Sequence, residues 1–597
     1  MITYAQQQKS EPEDEDRRKI FEEELDLCRA DLIQEKDFRK IKEFFREFEV
    51  LKAEQMDYAL RCEYLDYLTN RKKLRRATRY LSSYDKTVQA YIQYQVKEQP
   101  WISKRIWTIK KQILYIPYHP NVEIAKRVSE YDNKEKLVWD FGRTCSELLK
   151  EQMFLVLNEI LETVFDRAYL QEKLILLRLF YDYCTQEEIQ DIEQINQIQI
   201  NRFFMILSGR FGRSRLGRRG MIIDECRRIL FQKNENIHWN ANVWYVESLH
   251  MARHRINPAA PTMRISFLDI ENEDWRNLAK EYLRYQIGIS DCSITTIMWR
   301  YRDIRNLILW ICEKNLSLAE CKAENFQEYF GEVEKKELSE KRFNDIVHSI
   351  YGFFSLMVMH GHIKRIPFVV SYYQKKLIRI HHDQSLMIEQ YQEAITLLPK
   401  MEETLRCMYL HFWCLGLRIS EVCALKGNAY EWKNGAAWIR LYQQKTKNYK
   451  RIPIPDGLYK VMQIYIKRHE IKPDDYLFQN TCGRIYQAAA CRDNLKIFFR
   501  QNPIGDGSYH FQSHDYRHMI ATQLYDEGVS LQTIREYLGH YYLEMTEQYI
   551  DYIPKKIAEE NEKYFTKKGN SLATSLREEM RKKNETILCR SEKNGWR

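Results

Sequence analysis

Apolar residues recur three and four positions apart through most of residues 36–206, as in Phe44, Phe48 and Leu51 and then Leu60, Tyr64 and Leu68, a spacing that lines them up on one helix face. Helix breakers are scarce. With 20 Gly and 13 Pro in 597 residues, long helices joined by short loops are the predicted architecture. A single core stops growing well below this length, so several domains are expected. Period-two alternation is confined to one short stretch, Ala437-Trp-Ile-Arg-Leu-Tyr442, followed by a turn over Lys445–Tyr449 and a returning strand from Lys450 to Ile454. The fold class predicted is mainly α, with helical N-terminal domains and a small antiparallel β-sheet near the C-terminus.

Composition narrows the partners. Lys and Arg number 94 against 84 Asp and Glu, a net charge of +10 that suits a phosphate-bearing partner. The 14 Cys are scattered with no C-x-x-C pair, which argues for reduced thiols rather than a zinc ribbon or a disulfide scaffold. No apolar run approaches the roughly 18 residues of a membrane span, and Met1–Lys9 lacks an apolar signal segment. A soluble, cytoplasmic protein with no membrane partner is expected.

In chain order, residues 1–35 open with the acidic cluster Glu11–Asp16 and read as a charged, solvated leader. Residues 36–254 read as a helical region carrying a candidate DNA-binding arm. Three helices within the chain, at 60–68, 177–184 and 305–312, share a pattern. Each is followed within about 30 residues by a second helix ending in Tyr91-Ile92, Phe203-Phe204 or Tyr329-Phe330, which raises a tandem repeat. Residues 208–220 hold five Arg and four Gly in thirteen positions. Such a loop would expose Arg210, Arg213, Arg215, Arg218 and Arg219, whose guanidinium forks fit phosphate oxygens. Residues 255–267, with Pro258 and Pro261, read as a linker.

The chemistry concentrates downstream. His514 and Arg517 stand three apart and can converge on one anion from one helix face. His540 follows Gly539, a residue type that closes helices, and Tyr549 stands nine residues later. Upstream lie Arg418-Ile-Ser-Glu421 and Lys445-Thr446. The boxes L-R-x-S-E, K-T before the strand, H-x-x-R, L-G-H and a Tyr nine residues on resemble the tyrosine recombinases, the phage integrase family. In that family a helical core-binding domain precedes an integrase-like α+β catalytic domain. The resemblance places these at 268–378 and 385–565, with a charged tail at 566–597; Ile366-Pro367 stands where many members have Asn-Pro.

What the resemblance implies is DNA strand cleavage through a 3′-phosphotyrosyl link. Arg418 and Arg517 would neutralise the phosphate, His540 would hydrogen-bond it, and Lys445, on a mobile hairpin, would protonate the leaving oxygen. His514 would help deprotonate the nucleophile Tyr549, Glu421 would brace the site, and no cofactor or metal would be needed. Partners implied are double-stranded DNA at recombination sites, a tetramer of the chain on two sites, and accessory proteins. The tail face Ile553, Ile557, Tyr564 and Phe565 would dock on a neighbouring protomer. The extra N-terminal length resembles the larger Tn554-type transposases of the family. Two alternatives stay open: a type IB topoisomerase or hairpin telomere resolvase with the same chemistry, and a non-catalytic regulator descended from a recombinase.

Overall fold

The computed structural model describes residues 11–29, 33–129, 131, 134–212, 216–377, 388–540 and 546. In chain order, α1 (Glu11–Leu27), α2 (Glu35–Glu47), α3 (Tyr58–Asp66), α4 (Ala77–Glu98) and α5 (Ser103–Ile106) lead to β1 (Ile113–Tyr115). Then come α6 (Val122–Ser129), β2 (Val138–Asp140), α7 (Glu147–Glu162), α8 (Arg167–Gln186), α9 (Gln197–Phe211) and α10 (Leu216–Lys233). A second short ribbon, β3 (Val243–Tyr245) and β4 (Arg264–Ser266), precedes α11 (Glu273–Ile289), α12 (Ile294–Glu313), α13 (Ala323–Glu334), α14 (Glu340–Met359) and α15 (Val370–Tyr373). The last part comprises α16 (Ile388–Thr396), α17 (Glu403–Leu415), α18 (Ile419–Cys423), β5 (Tyr430–Lys433), β6 (Ala436–Gln443), β7 (Asn448–Pro453), α19 (Asp456–Arg468), α20 (Ala488–Gln501), α21 (Ser513–Asp526) and α22 (Leu531–Leu538). The fold is mainly α with small antiparallel sheets, as the helical periodicity and the single alternating stretch predict.

Side-chain caps start many of the helices where the sequence supplies Ser, Asp or Asn. Ser146, Asp166, Asn196, Asn272 and Ser293 each accept a hydrogen bond from the backbone N–H three residues on, satisfying a donor the helix leaves open. The buried apolar side chains fall into three main clusters. One spans Phe21 to Leu230, the second Phe231 to Phe368, and the third joins Ala259 to residues 394–516. Strands β5, β6 and β7 form one antiparallel sheet in that order. Sequence alternation finds β6 and β7; β5, only four residues long, gives no such signal.

Two readings need correction. The charged leader is not merely solvated: Phe21 and Leu25 of α1 are buried, and Tyr91 of α4 donates to Glu24 at 2.9 Å. Two apolar residues four apart suffice to dock a helix that is otherwise charged. Nor are residues 255–267 a free linker. Ile265 and Phe267 are fully buried, and the buried Arg255 guanidinium donates to the carbonyls of Cys292, Ile287 and Gln286 at 2.8, 2.7 and 3.2 Å. Ala259 sits in the third cluster, its carbonyl accepting from the Ala488 N–H at 2.8 Å. Prolines there mark an extended segment that has no helical period yet is tied down by its own carbonyls.

Candidate active site

Four separate elements bring the predicted residues together. Helix α17 ends at Gly416 in the left-handed region, φ +59°, and a Cβ there would lie 3.1 Å from the Arg517 Cα. Only glycine allows the end of α17 to touch α21 this closely. The Gly416 carbonyl thereby accepts from Arg517 Nη1 at 3.1 Å. Two residues on, Arg418 caps the short helix α18. Its backbone N–H donates to one Glu421 carboxylate oxygen at 3.0 Å and its Nη1 to the other at 2.8 Å. The hairpin β6–β7 carries Lys445 in its turn, and α21 carries His514 and Arg517 in its first turns. Helix α22 closes at Gly539, φ +67°, where a Cβ would fall 2.1 Å from Gln443 Oε1. The chain then delivers His540.

Arg517 is the centre. Its side chain is 1% exposed, and it donates to the Gly416 and Leu538 carbonyls and meets His540 Nε2 at 3.1 Å. Since a guanidinium only donates, Nε2 accepts, and the other ring nitrogen, Nδ1, faces the Thr546 hydroxyl at 3.0 Å. Burial, reinforced by Arg517 and Arg418, pushes the His540 pKa down to about 2, so the imidazole is neutral. Burial pushes the Glu421 carboxyl up, but the Arg418 and Arg517 charges outweigh it and hold it below the usual carboxylate range. Gln443 Nε2 donates to the same carboxylate at 3.1 Å.

The two remaining predicted groups face solvent. Lys445 and His514 are exposed. Desolvation, and then the nearby positive charges, hold both below their ordinary values. The turn that holds Lys445 is not loose: Gln444 Nε2 donates to the His254 and Ile256 carbonyls at 2.8 and 3.0 Å, and Lys447 donates to the Asp291 carbonyl at 2.9 Å and pairs with its carboxylate. These bonds tie the turn of the hairpin to residues 254, 256 and 291.

One member of the cluster escaped the sequence reading. Lys450 on β7 lies among Glu421, Arg517 and Arg418, and burial brings its pKa down to about 7. Its ammonium sits 5.2 Å from the centre of the Tyr537 ring. The signal was available: 450, 452 and 454 alternate on one face of a strand, and Ile452 and Ile454 are buried. Gln443 and Thr546 were likewise missed, and no local pattern announces either.

Arg418, Lys445, His514, Arg517, His540 and Glu421 thus converge. Tyr549, the predicted nucleophile, lies outside the described residues, as do the tail residues Ile553, Ile557, Tyr564 and Phe565. The Arg-rich stretch is elsewhere and is not an open loop. Residues up to Phe211 complete α9, Leu216–Gly220 begin α10, and Arg213 and Arg215 lie outside the described residues. Arg210 is exposed, but Arg219 pairs with Glu172 at 2.8 Å and stacks over Phe211 at 4.1 Å, so it is engaged within the protein. Four glycines did not outweigh the apolar spacing of Phe203, Leu207 and Ile223 on the two flanking helices. Among the described residues two groups have metal-ligand composition, Glu281 with His360 and His362, and Asp191 with Glu193 and His238; neither shares a residue with the cluster.

Among the described residues cations therefore outnumber the one carboxylate of this cluster, Glu421, an arrangement suited to an oxyanion. The cluster stands on a helical domain with a three-stranded antiparallel sheet. Residues 384–555 match the phage integrase family, so the part of the chain that holds the cluster is a phage integrase domain. Transposase B of transposon Tn554 from Staphylococcus aureus is 24% identical over 350 residues, covering 56% of this chain and 54% of the relative. A tyrosine recombinase of Pseudothermotoga lettingae is 21% identical over 278 residues, covering 46% of this chain and 93% of the relative. The chain spans about half the length of the Tn554 relatives it matches. Among solved structures, the XerH site-specific recombinase bound to difH substrate aligns with a TM-score of 0.37 at 17% identity, over 49% of this chain and 90% of that one.

Proposed function

We propose that this chain is a tyrosine recombinase that breaks and rejoins duplex DNA at specific sites, in integration, excision or transposition of a mobile element. The observation that carries the reading is the convergence of Arg418, Arg517, His540 and Lys445 from separate elements around a single carboxylate. A phosphodiester resists attack because its anionic oxygens repel the nucleophile and its alkoxide leaves poorly. Arg418 and Arg517 address the first difficulty, since fixed guanidinium charge stabilises the transition state more than the ground state. The second falls to Lys445: an ammonium held below its ordinary pKa gives up a proton more readily to a departing 5′ oxygen. His514, whose pKa is held below its ordinary value by burial and then by the same charges, accepts a proton from the attacking hydroxyl of Tyr549, and the product is a 3′-phosphotyrosyl link.

His540 serves in either tautomer. In the arrangement seen it accepts from Arg517 and orients it. Because the Thr546 hydroxyl both donates and accepts, the ring can instead turn its Nε2 proton to a phosphate. Residues 268–378 act as the core-binding domain and 385–565 as the catalytic one, with the charged stretches 1–35 and 566–597 at either end. The arginines Arg210, Arg213, Arg215 and Arg218 contact the DNA backbone. The active species is a tetramer on two sites, with accessory proteins as further partners, and the enzyme works in the cytoplasm; no helix among the described residues is long and apolar enough to cross a membrane.

The test is a nicked suicide duplex that traps protein on DNA. Wild-type protein is expected to be trapped equally with and without chelator, because Arg418, Arg517 and Lys445 supply the positive charge. Arg418→Gln should lower trapping by about a hundredfold or more, the loss typical of one transition-state donor. Trapping that needs a divalent ion, or that survives Arg418→Gln, would contradict the mechanism.

A further inference from the structure

The helices before the catalytic domain repeat. Helices α7 to α10 and α11 to α14 are each a helix pair, a single 3₁₀ turn and a second helix pair, and each set follows a two-stranded antiparallel ribbon. In both ribbons the residue after the second strand is a buried phenylalanine, Phe141 or Phe267. Its N–H donates to the carbonyl of the residue just before the first strand, Gln112 or Asn242, at 2.6 and 3.0 Å. Helix α8 begins at 167 and α12 at 294, a shift of 127. On α8, Leu170, Leu174, Leu177, Phe180, Tyr181 and Cys184 are buried; adding the shift gives Ile297, Tyr301, Ile304, Leu307, Ile308 and Ile311, all buried.

A third copy lies at the N-terminus, in α1 to α4 with a 3₁₀ turn at Ala53–Gln55. Here α4 matches α14 with a shift of 262, taking Leu81 to Phe343. The buried residues Leu81, Tyr84, Thr87, Val88, Tyr91 and Ile92 become Phe343, Ile346, Ser349, Ile350, Phe353 and Phe354, again all buried. Even the polar detail recurs: Thr87 donates to the Ser83 carbonyl four residues back at 2.9 Å, and Ser349 to that of Asp345 at 2.7 Å. A burial pattern conserved position by position along whole helices is the mark of one packing unit used three times.

The corner between the third and fourth helices of this unit is basic. In the first copy Arg71, Lys72, Lys73, Arg75, Arg76 and Arg79 fall within nine residues and all are exposed. Among the described residues Arg75, Arg76 and Arg79 form no salt bridge, whereas Arg71 pairs with Glu47. The shift of 262 carries Arg79 to Lys341 in the third copy. Lys341 is exposed and lies close enough to Lys445 for its charge to act on it. The third copy also touches the turn that carries Lys445, where Lys447 donates to the Asp291 carbonyl at 2.9 Å and pairs with its carboxylate between α11 and α12.

We infer that residues 11–359 are three tandem copies of one helical module, and that the basic corner of the first copy binds the backbone of duplex DNA beyond the cleavage point. The inference rests on the proposed action on DNA. A duplex is a uniform line of phosphates, so a protein that holds one scissile phosphate beside Lys341 and repeats the same corner along its chain gains by meeting further phosphates with the others.

The full chain carrying Arg75→Gln, Arg76→Gln and Arg79→Gln is compared with wild type on a long duplex and on a short nicked one spanning only the cleavage point. Three lost phosphate contacts should reduce the slope of log affinity against log salt by about 2.7 on the long duplex. Trapping on the short one should be unchanged, and Arg→Lys at the same positions should keep the slope. Equal slopes for wild type and the Gln variant overturn the inference. So does loss of short-duplex trapping in a variant with wild-type thermal unfolding, because it would put the corner in the cleavage assembly. If wild type binds no duplex of either length, the reading of the chain as a DNA enzyme falls instead.

Discussion

At the residue scale the site is an unequal balance, with Glu421 the one carboxylate, among the described residues, set against Arg418, Arg517, Lys445 and Lys450. Lys450 is the residue least expected there. A lysine whose folded pKa is about 7, against an ordinary value near 10.4, binds fewer protons in the folded than in the unfolded state between those limits. Stability from this group therefore rises as pH climbs from 7 towards 10. Lys450→Met should remove that rise: urea unfolding across this range is expected to show a flatter pH profile than wild type, with the variant relatively more stable near pH 7. Identical profiles would mean that Lys450 is not buried among these charges. The grouping of Arg418, Lys445, His514, Arg517 and His540 was legible because each lies in a short box of fixed spacing. Lys450, Gln443 and Thr546 were not, since their roles come from what the fold sets opposite them. Lys450 alone left a trace, in the strand's period of two.

At the element scale, helix ends and one hairpin build the site. The helices α17, α21 and α22 and the strands β6 and β7 were readable from periodicity, and Gly539 from its place after a helical run. What locks them was not: Gln444 reaches the carbonyls of His254 and Ile256, nearly two hundred residues away in sequence, and no local pattern encodes such a pairing. For the same reason 255–267 reads as a linker although it clamps the hairpin. Gly539 shows how little room the elements leave. Gly539→Ala is expected to cost about 1–2 kcal/mol for a left-handed Cβ alone, and more from the collision with Gln443. It should also lower DNA cleavage, because Gln443 must leave Glu421. Adding Gln443→Ala removes the collision but not the backbone cost, so the double variant should be more stable than the sum of the single changes. Strict additivity in chemical denaturation would show that the two residues do not meet.

At the scale of the whole molecule, the helices α1 to α15 precede the part of the chain that matches the phage integrase family, residues 384–555. The sequence pattern pairs 177–184 with 305–312, in α8 and α12, and the aromatic pairs of α9 and α13, as the proposed repeat does. For the N-terminal helices the same pattern picks Leu60–Leu68 of α3, whereas the proposed repeat sets α2 there. Amphipathic helices of similar length look alike until burial fixes which face each presents. In the proposed function the decisive step is the covalent one. Protein trapped on a nicked duplex is digested, and the DNA-bearing peptide is identified by mass. The phosphodiester should sit on Tyr549, and Tyr549→Phe should bind the duplex as wild type does while trapping none of it. A DNA link on any other residue, or trapping by Tyr549→Phe, would contradict the claim.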